Sequence, residues 1–284
     1  MPILYIVGTP IGNLEDLTPR AARILAEVAL VAAEDTRVTR RLLNHLGIHA
    51  RITSFHKHNW RNKLDRVLEQ LAEGDVALVS DAGMPGISDP GSELVTAAAQ
   101  AGFMVEVVPG PSAVTAALAL SGFPGDAFLF LGFLPRRKKE RQVALRQVAA
   151  IAMQLVVFEA PHRLRNTLAD VEAVFGDRPL VVCRELTKFH EEVFRGTAAQ
   201  ALEYFESPRG EMVLVVQSRA PQDDDSLHST GAEDQVDVDT DLRVRLASLR
   251  QEGVKAKDAV ALVAETTGLA KNRVYRVWVG LGME

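Results

Sequence analysis

One cysteine, Cys183, stands among the 284 residues. That scarcity excludes an internal disulfide and a thiolate zinc cluster, and no metal centre is expected. Cys183 lies in the strand-like run Leu180-Val181-Val182-Cys183, where the expected role is a small buried hydrophobe rather than a reactive thiol. Long apolar runs are missing too. The longest, Ala127 to Leu134, falls far short of the ~20 residues a transmembrane helix needs. The start, Met1-Pro2-Ile3-Leu4-Tyr5, lacks the basic n-region of a secretory signal, so the expected location is cytoplasmic with no membrane partner. There is no G-K-[ST] anywhere, and the first glycine-rich turn is not G-x-G-x-x-G, which leaves phosphate cradling by a glycine loop without support. With 47% hydrophobic and 24% charged residues the composition is that of a globular protein, and the length allows two compact domains plus something smaller.

The net charge of −5 hides a segregation of charge. Residues 222 to 241 hold eight acids and no Lys or Arg, whereas residues 242 to 284 hold eight bases against four acids. The acidic, aromatic-free stretch reads as a flexible linker over residues 221–241. Before it, β-branched runs such as Ile3–Val7, Leu30–Ala33, Val76–Val79 and Met212–Val216 alternate with amphipathic stretches such as Pro19–Val28 and Trp60–Glu73, which defines an α/β class. A break at Ser121-Gly122-Phe123-Pro124-Gly125-Asp126 divides this part into α/β domains over 1–120 and 121–220. After the linker, Leu242, Leu246 and Leu249 at helical spacing, a second helix over Ala256–Glu265, a turn at Gly268 and a third helix from Lys271 resemble a helix-turn-helix over 242–284. Its last helix would present Lys271, Arg273 and Arg276 to nucleic acid, with Val274, Val277 and Trp278 inward; a small helical cap for packing or dimerisation also accounts for the pattern.

Three Gly/Pro loops each follow an expected strand. They are Gly8-Thr9-Pro10-Ile11-Gly12-Asn13, the stretch from Ser80 to Gly91, and Pro109-Gly110-Pro111-Ser112-Ala113. Loops at the carboxyl ends of strands in an open α/β sheet are where such folds place ligands, and the three are expected to converge on one edge of a parallel sheet. A plain βα turn accounts for the first taken alone, and a helix cap for the third. The segment Arg136-Arg137-Lys138-Lys139-Glu140-Arg141 is expected to be an exposed loop suited to RNA phosphates, although a solvated helix start fits it as well.

These loops, together with Ala33-Glu34-Asp35-Thr36-Arg37, Ser54-Phe55-His56-Lys57-His58-Asn59 and Glu159-Ala160-Pro161-His162-Arg163, closely resemble the tetrapyrrole-methylase superfamily and, within it, the bacterial ribosomal RNA small-subunit methyltransferase I family. The resemblance covers the whole chain. It implies S-adenosyl-L-methionine held in a cleft between two α/β domains, 2′-O-methylation of a cytidine in the decoding region of 16S rRNA, either as free rRNA or in the small ribosomal subunit, and a homodimer. Carried over by motif, the cofactor contacts are Pro10, Asp81, Ala82, Gly83, Met84, Ile87, Ser112 and Ala113, with Phe158, Thr187 and Glu211 as weaker candidates.

Methyl transfer to a ribose hydroxyl needs alignment, exclusion of water and a group to take the hydroxyl proton. Glu34, Asp35, Arg37, His56, His58 and Asn59 are the polar residues available, with Asp35, His56 or His58 as base and Arg37 as a phosphate clamp. Asp35-Thr36-Arg37 also reads as a plain helix cap. Two other functions stay open: a methylase of small tetrapyrroles with the same fold and cofactor, and a DNA-binding regulator whose α/β part senses a ligand.

Overall fold

The computed structural model describes residues 2–87, 91–218, 242, 245–250, 254–267, 274–275 and 277–278. The linker expected over 221–241, the loop residues Ser88, Asp89 and Pro90, and the expected RNA contacts Lys271, Arg273 and Arg276 lie outside the described residues.

The first half alternates strand and helix: β1 (Ile3–Val7), α1 (Pro19–Glu27), β2 (Leu30–Ala33), α2 (Thr36–His45), β3 (Ile52–Ser54), α3 (Trp60–Glu73), β4 (Val76–Val79), α4 (Ser92–Gln100) and β5 (Met104–Val108). The strands lie parallel in the order β3-β2-β4-β1-β5. Every residue of β2 and β4 is buried, as expected for inner strands of a parallel sheet covered on both faces. One face packs on Ile24, Leu25 and Leu43 from α1 and α2, the other on Val67, Leu71 and Leu94 from α3 and α4. Each fully buried Leu or Val adds about 1.5–3 kcal/mol. Helix α1 starts where the sequence calls for it: the Thr18 side chain accepts from the Ala21 N–H at 3.1 Å, and Pro19 occupies the first turn.

The second half comprises α5 (Ala113–Ser121), β6 (Phe128–Phe133), α6 (Lys138–Val148), β7 (Gln154–Glu159), α7 (Pro161–Phe175), β8 (Leu180–Arg184), β9 (Glu192–Gly196), α8 (Ala198–Tyr204) and β10 (Met212–Val216). Its sheet, ordered β6-β7-β10-β8-β9, is mixed. Only β6 and β7 run parallel; β10 inserts antiparallel to both β7 and β8, and β8 and β9 form a hairpin. Helices α6, α7 and α8 cover one face through Leu145, Leu164, Leu168 and Ala201. The other face is covered by α5, whose Val114 and Ala117 pack on Val156, Val181, Cys183, Val213 and Val215. Helix α5 therefore leaves the first sheet at β5 and seals the second, and both sheets belong to one compact unit, Met1–Arg219.

A second unit spans Ala220–Glu284. It is helical at 245–250 and Ala256–Thr267, around a core of Leu242, Leu246, Val260, Val263 and Val274, with Val277 and Trp278 packed against it. These include the positions that the leucine spacing and the last-helix pattern place inward. Among the described residues, no helix is long and apolar enough to cross a membrane.

Candidate active site

Strands β4, β1 and β5 are neighbours in the sheet, so the three Gly/Pro loops at their carboxyl ends meet, and they interlock through backbone. The Thr9 N–H donates to the Gly83 carbonyl at 2.9 Å and the Gly83 N–H returns to the Thr9 carbonyl at 3.1 Å. The buried Thr9 hydroxyl lies 3.2 Å from the Ser80 carbonyl. Where β1 and β5 end, Gly8 and Gly110 touch: a Cβ added to Gly8 would sit 2.6 Å from the Gly110 Cα and 2.7 Å from the Met84 sulfur. Only glycine allows this crossing, because the space a Cβ would fill is already backbone.

Beyond the crossing lies a cavity of about 400 Å³, within the roughly 300–1,000 Å³ typical of ligand sites. Asp81, Ala82, Gly83, Met84 and Ile87 form one wall, Ser112, Ala113 and Val114 a second. Ser112 caps α5 without a side-chain hydrogen bond to it, so the first-turn N–H groups are left for a ligand. The second sheet supplies the rest, chiefly Phe133, Phe158, Glu159, Cys183, Lys188, Glu211 and Met212. These residues share one end of that sheet because antiparallel β10 begins where β7 and β8 finish, with Met212 opposite Glu159 and Arg184. Phe158 is held edge-to-face by Phe130 and Phe133 at 4.9 and 5.6 Å. Cys183 is fully buried and its thiol is pushed up to about 11 by burial, which makes it unreactive near neutral pH.

Pairing of β2 with β4 (Ala33 opposite Val79) and with β3 (Ala33 opposite Ser54) brings the acidic and histidine motifs to the cavity edge. The Asp81 N–H donates to Glu34 Oε2 at 3.3 Å, and the Asp35 N–H donates to Asp81 Oδ1 at 2.9 Å, stapling the two strand ends together. Glu34 lines the cavity. Burial raises its carboxyl above the usual range, an effect the Asp81 N–H and the nearby His56 oppose. Burial also raises Asp81. Asp35 is different. It caps α2 through the Arg37 N–H at 2.8 Å and pairs with the Arg37 guanidinium at 2.6 Å, bonds that hold its carboxyl well below the ordinary value. The His56 backbone N–H donates to Asn59 Oδ1 at 2.8 Å, while the Asn59 amide donates to the Ser54 hydroxyl at 2.9 Å. His58 is exposed; its backbone N–H lies 3.3 Å from His56 Nδ1, and its ring meets that of His56 edge-on at 6.1 Å.

Seven of the eight cofactor candidates therefore line one cavity; Pro10 is not among its lining residues. Of the weaker candidates, Phe158 and Glu211 line it, whereas Thr187 lines a neighbouring groove and accepts the Asn13 N–H at 2.9 Å. Asp35, Arg37, His56 and His58 are not lining residues; Glu34, beside them, is. Lys188, unmarked in the sequence, also lines the cavity and joins Glu185 at 3.0 Å and Glu211 at 2.9 Å. No local signal marks that triad, because it forms only when the β8–β9 loop meets the start of β10.

The basic segment differs from the exposed loop expected over 136–141. Helix α6 begins at Lys138, and Arg141 is buried rather than offered to solvent, paired with Asp170 at 2.6 Å. Its guanidinium also donates to the Arg136 carbonyl at 3.1 Å. The buried pair thus anchors a turn on which Arg136, Arg137, Lys138 and Lys139 are all exposed, within six residues of cavity-lining Phe133.

Two α/β halves closing on a cavity at the carboxyl ends of a parallel sheet define a methylase of the tetrapyrrole type, and residues 3–202 match the family model of tetrapyrrole (corrin/porphyrin) methylases. The fold is shared with uroporphyrin-III-C-methyltransferase from Thermus thermophilus (TM-score 0.55, 21% identity, 76% of this chain and 94% of that one). It is also shared with the cobalamin biosynthetic enzyme cobalt precorrin-4 methyltransferase (TM-score 0.57, 19% identity, 75% and 94%). Full-length similarity is more specific. "Ribosomal RNA small subunit methyltransferase I" of Synechocystis is 43% identical over 98% of this chain and 97% of its own, and that of Escherichia coli O157:H7 is 42% identical over 96% and 93%. The Thermotoga maritima relative is 48% identical over 76% of this chain and 98% of its own, so about a quarter of this chain has no counterpart there. Residues 234–279 match a model described as the RsmI C-terminal HTH domain. The chain belongs to the ribosomal RNA small subunit methyltransferase I family, and it is a methyltransferase.

Proposed function

We propose that the protein transfers a methyl group from S-adenosyl-L-methionine to the ribose 2′-hydroxyl of a cytidine in the decoding region of 16S rRNA. The observation that carries this reading is the exposed basic segment, fixed by the buried Arg141–Asp170 pair, within six residues of cavity-lining Phe133. A tetrapyrrole, itself a polycarboxylate, would also suit such bases; the full-length similarity to ribosomal RNA small subunit methyltransferases favours RNA. The residues present fit the cofactor. The Gly8–Gly110 crossing brings the loop ends together beside cavity-lining Met84, the first turn of α5 offers N–H groups to a carboxylate, and Phe158 offers an aromatic face. Bound there, the cofactor supplies an electrophilic methyl carbon.

The chain's own residues do the rest. The apolar wall of Ile11, Ile87, Val114 and Leu186 excludes water. Glu34 takes the hydroxyl proton, since its raised carboxyl is a stronger base than the Arg37-bound Asp35. The four exposed bases at 136–139 hold phosphates and position the strand. Lys271, Arg273 and Arg276 extend this grip. The domain division follows the reading: 1–120 and 121–220 enclose the cofactor, 221–241 links, and 242–284 assists RNA binding. The protein acts as a homodimer in the cytoplasm.

The test is tritiated S-adenosyl-L-methionine offered with small subunits, naked 16S rRNA, uroporphyrinogen and duplex DNA. Label in the RNA alone is expected; label only in the porphyrin overturns the reading, and tight DNA binding without transfer favours a regulator.

A further inference from the structure

The Phe189 ring is 97% exposed, while the other exposed large hydrophobics among the described residues reach at most 56%. Exposed apolar side chains scattered singly are ordinary, so the setting of this one decides its meaning. Phe189 stands on a braced turn. The Lys188 N–H donates to the Glu185 carbonyl at 3.0 Å, the Glu191 N–H to the Lys188 carbonyl at 3.0 Å, and the Thr187 N–H to the Glu191 carboxylate at 2.6 Å. Glu185 and Thr187 hold left-handed backbone, φ 51° and 65°, a cost that surrounding structure must enforce and that clusters at ligand clamps. Lys188, the preceding residue, lines the cavity. Thr187 lines an open groove of about 450 Å³ that shares Ile11 and Ser112 with the cavity. The turn thus divides the cavity from the groove and carries a free ring at its tip, with His190 edge-on at 5.0 Å.

Resting on the function proposed above, we infer that Phe189 is a stacking platform for a base next to the methylated nucleotide. A ribose placed in the cavity carries its neighbours out over the rim. An unpaired base needs one aromatic face, and stacking of this kind is tolerant of sequence. A second protein chain fits less well, because Lys188, His190 and Glu191 flank the ring, whereas the centre of a protein interface is depleted of charge.

The full-length F189A and F189W variants test this. Exposure this complete means neither change disturbs the fold. With small subunits as substrate, F189A is expected to raise KM roughly 5- to 100-fold with kcat changed by less than about threefold, and F189W to stay within about threefold of the parent. The added tryptophan fluorescence of F189W should be quenched by subunits, and S-adenosyl-L-methionine affinity should not move in either variant. An unchanged KM in F189A, an equal loss in F189W, or a change of oligomeric state on sedimentation overturns the inference. Failure of the parent protein to methylate either subunits or naked 16S rRNA would instead remove the functional reading beneath it.

Discussion

Replacing Gly8 by alanine is the sharpest probe of how the cavity is built. The new Cβ would lie 2.6 Å from the Gly110 Cα and 2.7 Å from the Gly110 nitrogen, about 0.8 Å inside the 3.4 Å at which ordinary contact begins. Both atoms are backbone, so no side chain can swing aside. The ends of β1 and β5 must separate, and with them move Met84, whose sulfur would lie 2.7 Å from the same Cβ, and the Ser112–Ala113 start of α5. Overpacking of this kind costs about 1–3 kcal/mol, which for a unit of this size lowers the melting temperature by roughly 2–4 °C per kcal/mol. The loss should fall more heavily on the ligand than on the fold, since two walls of the cavity hang from the displaced loops. G8A is therefore expected to bind S-adenosyl-L-methionine at least about tenfold more weakly by calorimetry, for ~1.4 kcal/mol of lost binding. G47A is the control. Its backbone is left-handed at φ 68° with nothing within 4 Å of the added Cβ, so it should lose about 1–2 kcal/mol of stability and bind the cofactor normally. Normal binding by G8A, or equal loss of binding in both variants, would refute the reasoning.

Glu34→Gln should lower kcat by about 10²–10⁴-fold while leaving cofactor affinity within a few fold. In the parent protein kcat should fall as pH drops through the raised Glu34 carboxyl, because the base must be ionised, and E34Q should lose that limb; a limb retained in E34Q would exclude Glu34 as the base. Arg141→Met strands the Asp170 carboxylate in the core, and removing one partner of a buried pair costs about 3–5 kcal/mol. Urea denaturation should show it, and a loss under 1 kcal/mol would mean the pair is not the anchor of the basic turn. Replacing Arg136, Arg137, Lys138 and Lys139 together by alanine should raise KM for subunits and flatten its dependence on salt by up to ~0.7 in log–log slope per lost single-strand phosphate contact, with cofactor binding unchanged. An unaltered salt slope would place the RNA elsewhere.

Much of this was legible in the chain because its strongest signals are local. The apolar runs Ile3–Val7, Leu30–Ala33, Val76–Val79 and Met212–Val216 form strands at those bounds, since a buried strand needs a β-branched run with turn residues at its ends. The convergence of three Gly/Pro loops also holds, on adjacent β4, β1 and β5. What escaped depends on partners distant in sequence. β3 is three residues long and β9 carries Glu192 and Arg195, so neither shows a strand pattern until neighbouring strands pair with it. The insertion of β10 between β7 and β8 is a pairing choice without a local mark. Arg141 reads as one more exposed base until Asp170, a turn of α7 far along the chain, claims it. Asp35 and Glu34 are neighbouring acids in sequence, yet one is spent on capping α2 and pairing with Arg37 while the other lines the cavity.

The decisive feature of the reaction is the atom that receives the methyl group. Small subunits labelled with tritiated S-adenosyl-L-methionine, followed by alkaline digestion and mass spectrometry of the labelled fragment, identify it directly. An alkali-resistant linkage at a single cytidine of the decoding region, carrying label on the ribose oxygen, is the expected result. Label on a base, or on RNA that remains fully alkali-labile, would contradict it.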